Sequence, residues 1–249
     1  MIGNTNRQYG DLIIVNGTSS AGKSTTVKAL QSLMTAPYLH SGPDHFVHQY
    51  HSRLFTWRED REPKPFNGWL ITVEGNVMVD AEIGPLGRQI LASVYEAIAV
   101  FVGNGLNVIV EDALWRPEVL QTAVSTLHPF NPLFVGLHIP LKVAKQREIE
   151  RGNRFLGGAV TFYARVHAHT IYDLEIDSGQ HSAEECAEMI KAAAENGRSR
   201  TAFQQLADLF AKENRRDAAQ PEDEGELVGQ FAKLPSDLAN WTTLTKEAE

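Results

Sequence analysis

Short apolar runs alternate with amphipathic stretches along the first 196 residues of this chain. The runs are rich in β-branched residues and occur at 12–15, 106–110 and 133–139, with a weaker one at 172–177. Such runs are typical of strands buried on both faces of a parallel sheet. Helical periodicity fills the intervals, at 24–33 and at about 84–102, 116–127, 141–150, 159–168 and 182–196. The alternation predicts an α/β fold in which helices cover both faces of a parallel β-sheet.

Two regions interrupt this alternation. Two β-rich runs around Glu74-Gly75-Asn76 predict a small β-hairpin within an insertion at about 50–82. Beyond residue 197, Phe203, Leu206, Leu209 and Phe210 have helical spacing, and an acidic stretch and Trp241 follow. We therefore predict one domain over residues 1–196 and a helical C-terminal extension over residues 197–249.

Composition and charge narrow the class of protein. The chain is 43% hydrophobic and 22% charged, which excludes a wholly disordered or disulfide-scaffold protein. The formal net charge of −8 argues against nucleic acid or an anionic membrane as a partner. The single cysteine, Cys186, is expected on the buried face of a late helix. Without an evident membrane span or signal peptide, we expect a cytoplasmic protein.

The strongest chemical signal is a glycine-rich loop between the first strand and the first helix. It has the pattern G-x-x-x-x-G-K-[ST], in which Gly17 and Gly22 let the backbone wrap closely around phosphate oxygens. Lys23 is placed to reach the β- and γ-phosphates of ATP, and the Ser24 hydroxyl to coordinate Mg²⁺. The candidate nucleotide-binding residues are Gly17, Thr18, Ser19, Ser20, Ala21, Gly22, Lys23, Ser24 and Thr25.

Two further groups fit a nucleotide site. The strand at 107–110 ends in Glu111 and Asp112, and a carboxylate there would hold Mg²⁺ or its water shell, with Asp112 favoured over Glu111. The alternative is that these acids cap the following turn. Arg151 and Arg154 follow a predicted helix in a segment at about 151–158 that resembles the lid of small P-loop kinases, whose arginines contact the triphosphate. A solvated basic helix end is the alternative there.

Asp44 is the candidate catalytic base. It lies where a strand-like run gives way to a helix, so its carboxylate would receive a proton from an acceptor hydroxyl or, alternatively, cap the helix. The aromatic and histidine-rich stretch at 45–57 follows directly, and it could line an acceptor pocket. Helical spacing of Phe46, Tyr50 and Leu54 is equally typical of core packing.

Together these residues resemble the chloramphenicol phosphotransferase-like family. The segment Ile13 to Ser24, with its Ser-Ser-Ala-Gly-Lys-Ser ending, carries the resemblance, supported by the segments around Asp44, 83–85, 108–112, 151–154 and 172–178. The resemblance implies a P-loop NTPase fold and transfer of the γ-phosphate of ATP to a hydroxyl of a small molecule, such as a chloramphenicol-like antibiotic. It also implies that Asp44 is the general base, that Lys23, Ser24 and Mg²⁺ handle phosphate, and that Arg151 and Arg154 act from the lid.

Other functions fit the same core. A kinase of a nucleoside, a sugar nucleotide or an RNA end would share it, as would a nucleotide-binding regulatory or toxin-type module. The amphipathic run at 203–210 and Trp241 would then dock a partner; otherwise they would pack back onto the sheet or form the interface of a homo-oligomer. The stretch at 50–68 and the tail beyond 197 depart from the family pattern.

The chain lacks an Asn-Lys-x-Asp guanine-binding segment after a late strand, which favours ATP over GTP.

Overall fold

A five-stranded parallel sheet is the centre of the computed structural model, which describes residues 9–47, 49, 55–56, 66–73, 76–151, 157–168 and 170–219. The strand order is β2-β6-β1-β7-β8, and every pair is parallel. The strands are β1 (Leu12–Asn16), β2 (Tyr38–Ser41), β6 (Asn107–Asp112), β7 (Leu133–His138) and β8 (Leu174–Asp177). The predicted α/β fold is confirmed.

A second, three-stranded sheet has the order β3-β4-β5. Its strands are β3 (Phe55–Thr56), β4 (Phe66–Val73) and β5 (Asn76–Ile83), and β4 pairs antiparallel with β5 from Phe66↔Ile83 to Val73↔Asn76. The predicted hairpin is therefore confirmed, with strands longer than the sequence pattern indicated. Of the predicted insertion at about 50–82, residues 50–54, 57–65 and 74–75 lie outside the described residues.

Helices connect the strands of the main sheet. They are α1 (Lys23–Leu33), α2 (Pro43–Val47), α3 (Pro85–Gly103), α4 (Pro117–Leu127), α5 (Leu141–Arg151), α6 (Gly158–Tyr163), α7 (Ala183–Glu195) and α8 (Ala202–Ala219). The helix predicted over 159–168 is shorter, because turns replace it from Ala164 onward. The Val166 carbonyl in these turns accepts a hydrogen bond from the Asn16 side chain at 2.9 Å.

The two faces of the sheet bury different helices. Ile13 and Val15 pack in one cluster with Val27 of α1 and with Cys186 and Ile190 of α7. Because side chains alternate along a strand, Leu12 and Ile14 point to the opposite face, where α3 and α4 lie. Cys186 is fully buried on α7, as predicted.

The helix α3 is long and apolar enough to cross a membrane by length and composition alone, which the sequence analysis did not anticipate. It is the one helix of that kind within the described ranges. Ile90, Val94, Tyr95 and Ile98 of α3 are buried, and the helix packs against α4 and β6. Its apolar character therefore has an explanation in the core of the domain.

A compact unit extends from the start of the chain to Ala207, and a second unit covers residues 208–249. The first turns of α8 belong to the first unit, where Phe203 and Leu206 are buried and the Phe203 ring lies 4.9 Å from that of Phe134. The predicted helix at 203–210 is confirmed as part of α8, although Leu209 is exposed. The acidic stretch and Trp241 lie outside the described residues.

Candidate active site

The glycine-rich loop joins β1 to α1 at the carboxyl edge of the sheet. Gly22 takes a left-handed conformation with φ of 86° immediately before α1, and Ser20 is also left-handed at φ 62°. A glycine cannot cap a helix with a side chain, so the N–H groups of the first turn of α1 remain available to an external acceptor. Together with the helix dipole, these groups form an anion site of the kind that binds phosphate.

The loop is held on both sides by its neighbours. A Cβ atom on Gly17 would lie 2.6 Å from the Leu137 carbonyl oxygen, so only glycine allows β7 to approach this closely. The Thr18 hydroxyl lies 3.4 Å from the Ala159 carbonyl, and the Ser178 hydroxyl donates to the Ala21 carbonyl at 2.8 Å. The loop is therefore fixed to the rest of the fold at three of its residues.

Lys23 lies across this loop as the sequence predicted. Its Nζ donates to the carbonyl oxygens of Gly17 and Thr18 at 2.8 and 2.9 Å. The ammonium group thus lies beside the N–H groups at the start of α1, where a phosphate chain would be bound. Thr25, also predicted to contact nucleotide, is exposed in the first turn of α1.

Glu111, and not Asp112, contacts the loop serine. The Ser24 hydroxyl donates to Glu111 Oε1 at 2.6 Å, and His40 Nε2 lies 3.1 Å from Glu111 Oε2. Side chains alternate along β6, so Glu111 lies on the face opposite to that of Val110 and Asp112. It shares its face with Ile109, which packs in one cluster with Val27 of α1. A carboxylate on that face reaches Ser24, whereas one on the opposite face does not.

The Glu111 carboxyl is ionised at neutral pH. Burial raises its pKa, but hydrogen bonds from His40 and Ser24 and the charge of Lys23 outweigh burial and lower the pKa to about 2. A permanently charged carboxylate beside the loop hydroxyl is a hard oxygen donor of the kind that Mg²⁺ prefers.

Asp112 lies on the opposite face of β6, against α3. Its carboxylate accepts hydrogen bonds from the Tyr95 hydroxyl at 2.6 Å and from the Ala113 N–H at 2.7 Å. Burial raises its pKa to about 6, and the charge of Asp44 acts in the same direction. Asp112 therefore binds Tyr95 and its own turn and not Ser24, and its role as a metal ligand stays a prediction.

Asp44 is exposed on α2, one residue into the helix. A Cβ on Gly42 would lie 2.1 Å from the Glu111 carbonyl oxygen, so glycine lets the chain after β2 pass directly against the end of β6. This close approach brings Asp44 near enough to Asp112 for its charge to influence the pKa of that carboxyl. Because α2 begins at Pro43, Asp44 lies within the first turn and not at the helix cap.

A cavity of about 460 Å³ lies between α3 and α2, the helix that carries Asp44. Its described lining combines apolar side chains with amides and a hydroxyl, from Phe46, Gln49, Leu86, Gln89, Ile90, Ser93 and Val94. Phe46 is half-buried and shares α2 with Asp44, so its ring both packs and lines this cavity. Whether this cavity takes an acceptor stays a prediction.

The predicted arginine pair is only partly described. Arg151 is exposed at the last residue of α5, while Arg154 lies outside the described residues, so its role stays a prediction.

A different arginine of α5 is close to the loop. Arg147 donates to the Ser178 carbonyl at 3.0 Å, and its Nη1 lies 3.6 Å from where a Cβ on Gly22 would be.

A buried hydrogen-bonded cluster supports the start of the loop. Asn16 is fully buried, and its amide donates to the Val166 carbonyl and the Tyr172 hydroxyl while its oxygen accepts from the Leu114 N–H. The Tyr172 hydroxyl lies 2.7 Å from His167 Nδ1. Burial, with the charges of His138 and Lys23, lowers the pKa of His167 to about 3, so its imidazole is neutral at pH 7.

Sequence reasoning overlooked three residues that shape this site: His40, Tyr95 and Glu148. The sequence carried no signal for His40 or Tyr95, because each acts on a carboxylate from a distant element. Glu148 did have a signal. It stands four residues after Ala144 on the buried stripe of α5, a position where a carboxylate requires partners.

Comparisons with known proteins identify the family of this chain. A model of the family described as chloramphenicol phosphotransferase-like protein matches residues 10–195. A Mycobacterium tuberculosis protein named "Putative O-phosphotransferase" is 29% identical over 179 residues, which are 68% of this chain and 75% of that protein.

Solved structures share the fold. A sugar kinase from a Janibacter species aligns with a TM-score of 0.52 and 16% identity over 75% of this chain and 95% of that one. The APS kinase of Mycobacterium tuberculosis aligns with a TM-score of 0.50 and 14% identity over 74% and 96% of the respective chains. The fold is that of the P-loop kinases.

Proposed function

Since this chain belongs to the chloramphenicol phosphotransferase-like family, we propose that it transfers the γ-phosphate of ATP to a hydroxyl group of a small uncharged molecule in the cytoplasm. The observation that carries the proposal is the loop itself. Lys23 and the first turn of α1 form an anion site, and the ionised Glu111 is hydrogen-bonded to Ser24 at its edge. Asp44 lies on α2, and α2 and α3 together border a cavity large enough for a small molecule.

In this proposal the loop binds the phosphates of ATP. The N–H groups of the loop and of α1 donate to phosphate oxygens, and Lys23 exchanges its bonds to Gly17 and Thr18 for the β- and γ-phosphates. The Lys23 charge offsets the negative charge that builds on the oxygens during transfer. Arg151, at the end of α5, and Arg154 contribute further positive charge.

The donor set at the loop fits Mg²⁺. Ser24 and Glu111 present a hydroxyl and an ionised carboxylate, and both are hard oxygen donors. Ser24 and Glu111 would hold the ion or its water shell. When bound, Mg²⁺ neutralises charge on the phosphate oxygens.

Asp44 acts on the acceptor. Its exposed carboxylate accepts a hydrogen bond from the acceptor hydroxyl, which orients the oxygen toward the γ-phosphate, and it receives the proton as the new P–O bond forms. The nearby Asp112 is held by Tyr95 and Ala113, so it is less available for this role.

The cavity between α2 and α3 suits an uncharged acceptor. Its described lining contains apolar and uncharged polar side chains but neither arginine nor lysine, so within these residues nothing offsets the charge of an anionic acceptor. Phe46 and Ile90 would contact an apolar body, while Gln49, Gln89 and Ser93 would hydrogen-bond its polar groups.

A panel of acceptors tests this proposal. Wild-type protein, Mg²⁺ and labelled ATP are incubated with uncharged hydroxyl compounds, including chloramphenicol-like antibiotics and nucleosides, and with anionic ones such as sugar acids, nucleotides and RNA ends. We expect transfer to an uncharged member of the panel. Transfer confined to anionic acceptors would contradict the assignment of the cavity, and transfer to an RNA end would identify a different kinase.

Glu111→Gln is expected to raise the Mg²⁺ concentration that gives half-maximal activity by about tenfold or more, because the ionised oxygen donor is lost. The measurement is a Mg²⁺ titration of phosphoryl transfer at saturating ATP. Asp112→Asn is the matched comparison, since it makes the same change at the next residue on the opposite face of β6. If Asp112→Asn shifts the Mg²⁺ titration and Glu111→Gln leaves it unchanged, the assignment of Glu111 is wrong.

A further inference from the structure

A buried carboxylate on α5 lies directly behind the phosphate-binding loop. Glu148 is 6% exposed, although the other charged residues around it on α5 reach solvent, as Lys145, Glu150 and Arg151 do. A carboxylate is kept at such a buried position only where hydrogen bonds replace the lost water. Its partners therefore indicate what it does.

Both oxygens of Glu148 bind the backbone that begins α6. Oε2 accepts from the Gly157 N–H at 2.8 Å, and Oε1 accepts from the Ala159 N–H at 2.9 Å. Gly157 is left-handed at φ 106°, which turns these two N–H groups toward the same carboxylate. The side chain thus fixes the backbone of 157–159 to α5 with two charge-assisted bonds.

The same stretch of backbone contacts the phosphate-binding loop. The Thr18 hydroxyl lies 3.4 Å from the Ala159 carbonyl, so one residue is bonded to Glu148 through its N–H and to the loop through its carbonyl. A Cβ on Gly158 would lie 3.2 Å from Glu148 Oε1 and 3.6 Å from the Ser19 Cβ. The residues 157–159 therefore form a layer between Glu148 and the loop.

We propose that Glu148 is a positioning residue for nucleotide binding: through residues 157–159 it holds Thr18 and Ser19 in the conformation that presents the loop N–H groups to phosphate. This inference rests on the proposed function only in that the loop binds ATP. It does not depend on the acceptor or on Asp44. The side chain is too deeply buried to contact the nucleotide itself, so its effect on affinity passes through the loop.

The test is Glu148→Gln, which keeps the shape of the side chain. An amide retains one acceptor oxygen but turns an N–H₂ group toward the other backbone N–H, so one of the two bonds is replaced by a repulsive contact. We expect the dissociation constant of a non-hydrolysable ATP analogue to rise about tenfold. Glu150→Gln, on the same helix but exposed, is the matched control and should leave this constant unchanged.

A double-mutant cycle with Thr18→Val separates positioning from general destabilisation. If Glu148 acts through Ala159 and Thr18, Glu148→Gln should weaken the analogue much less in the Thr18→Val background than in wild type. Equal loss in both backgrounds would overturn the inference, as would unchanged affinity in Glu148→Gln. If Glu148→Gln does not yield folded protein, Glu148→Asp, which withdraws the carboxylate by one methylene, is measured in the same cycle.

Wild-type protein distinguishes failure of this inference from failure of the proposed function. Affinity is measured without an acceptor, so an error in the acceptor class or in the role of Asp44 does not affect the result. If wild type and the Glu148 variants bind the analogue with equal affinity, the positioning role is overturned and the proposed function is not. Wild type that does not bind the analogue overturns both.

Discussion

Asp44→Asn should reduce phosphoryl transfer by about 10²- to 10⁴-fold while leaving the affinity for ATP close to that of wild type. The amide keeps the shape of the side chain and can still contact the acceptor hydroxyl, but it cannot receive the proton. Asp44 lies on α2, whereas the phosphates bind at the loop and α1, so the nucleotide loses no direct contact. The measurement pairs single-turnover transfer to the best acceptor with the dissociation constant of an ATP analogue.

Asp208→Asn makes the same chemical change at an exposed aspartate of α8 and is the matched control. It should retain full transfer. Asp112→Asn adds a second comparison, because Asp112 is the carboxylate whose pKa responds to Asp44. Transfer that survives in Asp44→Asn but is lost in Asp112→Asn would show that Asp112 is the base and that Asp44 is not.

Lys23→Ala has the second large expected effect, a loss of phosphoryl transfer of about 10²- to 10³-fold together with weaker ATP binding. Two causes act together. The substitution removes the positive charge that would stabilise the transferring phosphate, and it removes both hydrogen bonds from Nζ to the carbonyls of Gly17 and Thr18. The measurement is kcat and KM for ATP at saturating Mg²⁺ and acceptor.

The control for this variant lies on the same helix. Lys28 is exposed on α1, so Lys28→Ala changes the net charge by the same amount without touching the loop. It should behave as wild type. Wild-type ATP affinity and wild-type turnover in Lys23→Ala would contradict the binding of phosphate at this loop.

Local patterns were sufficient to predict the layers of the fold and the loop. The run Leu12–Asn16 is buried at every position, as a central parallel strand requires, so its apolar composition identified it without any knowledge of its partners. The loop from Gly17 to Ser24 was equally visible, because glycine at 17 and 22 is required by the backbone and not by distant side chains.

The choice between Glu111 and Asp112 could not be made from the sequence. Both residues end β6, and alternation places them on opposite faces, but which face α1 covers is set by the packing of the whole sheet. The contact of Ser24 with Glu111 joins residues 87 positions apart. The spacing of hydrophobic residues within one element cannot predict a contact of this kind.

The length of α6 and the role of Glu148 were missed for a similar reason. The turns that follow α6 include Val166, whose carbonyl accepts a hydrogen bond from Asn16, 150 residues earlier in the chain. Glu148 is recognisable as an acid on a buried stripe of α5. The two N–H groups that donate to it, however, belong to Gly157 and Ala159 at the start of α6. Both features involve tertiary bonds.

The fate of the γ-phosphate of ATP tests the central claim most directly. Wild-type protein is incubated with Mg²⁺, ATP labelled at the γ-phosphate and an uncharged hydroxyl acceptor, and the label is followed by phosphorus NMR or mass spectrometry. We predict that it appears as a phosphate ester on the acceptor oxygen and that Asp44→Asn abolishes the ester. Label released only as inorganic phosphate, or retained on bound ATP with every acceptor, would contradict the assignment of this protein as an O-phosphotransferase.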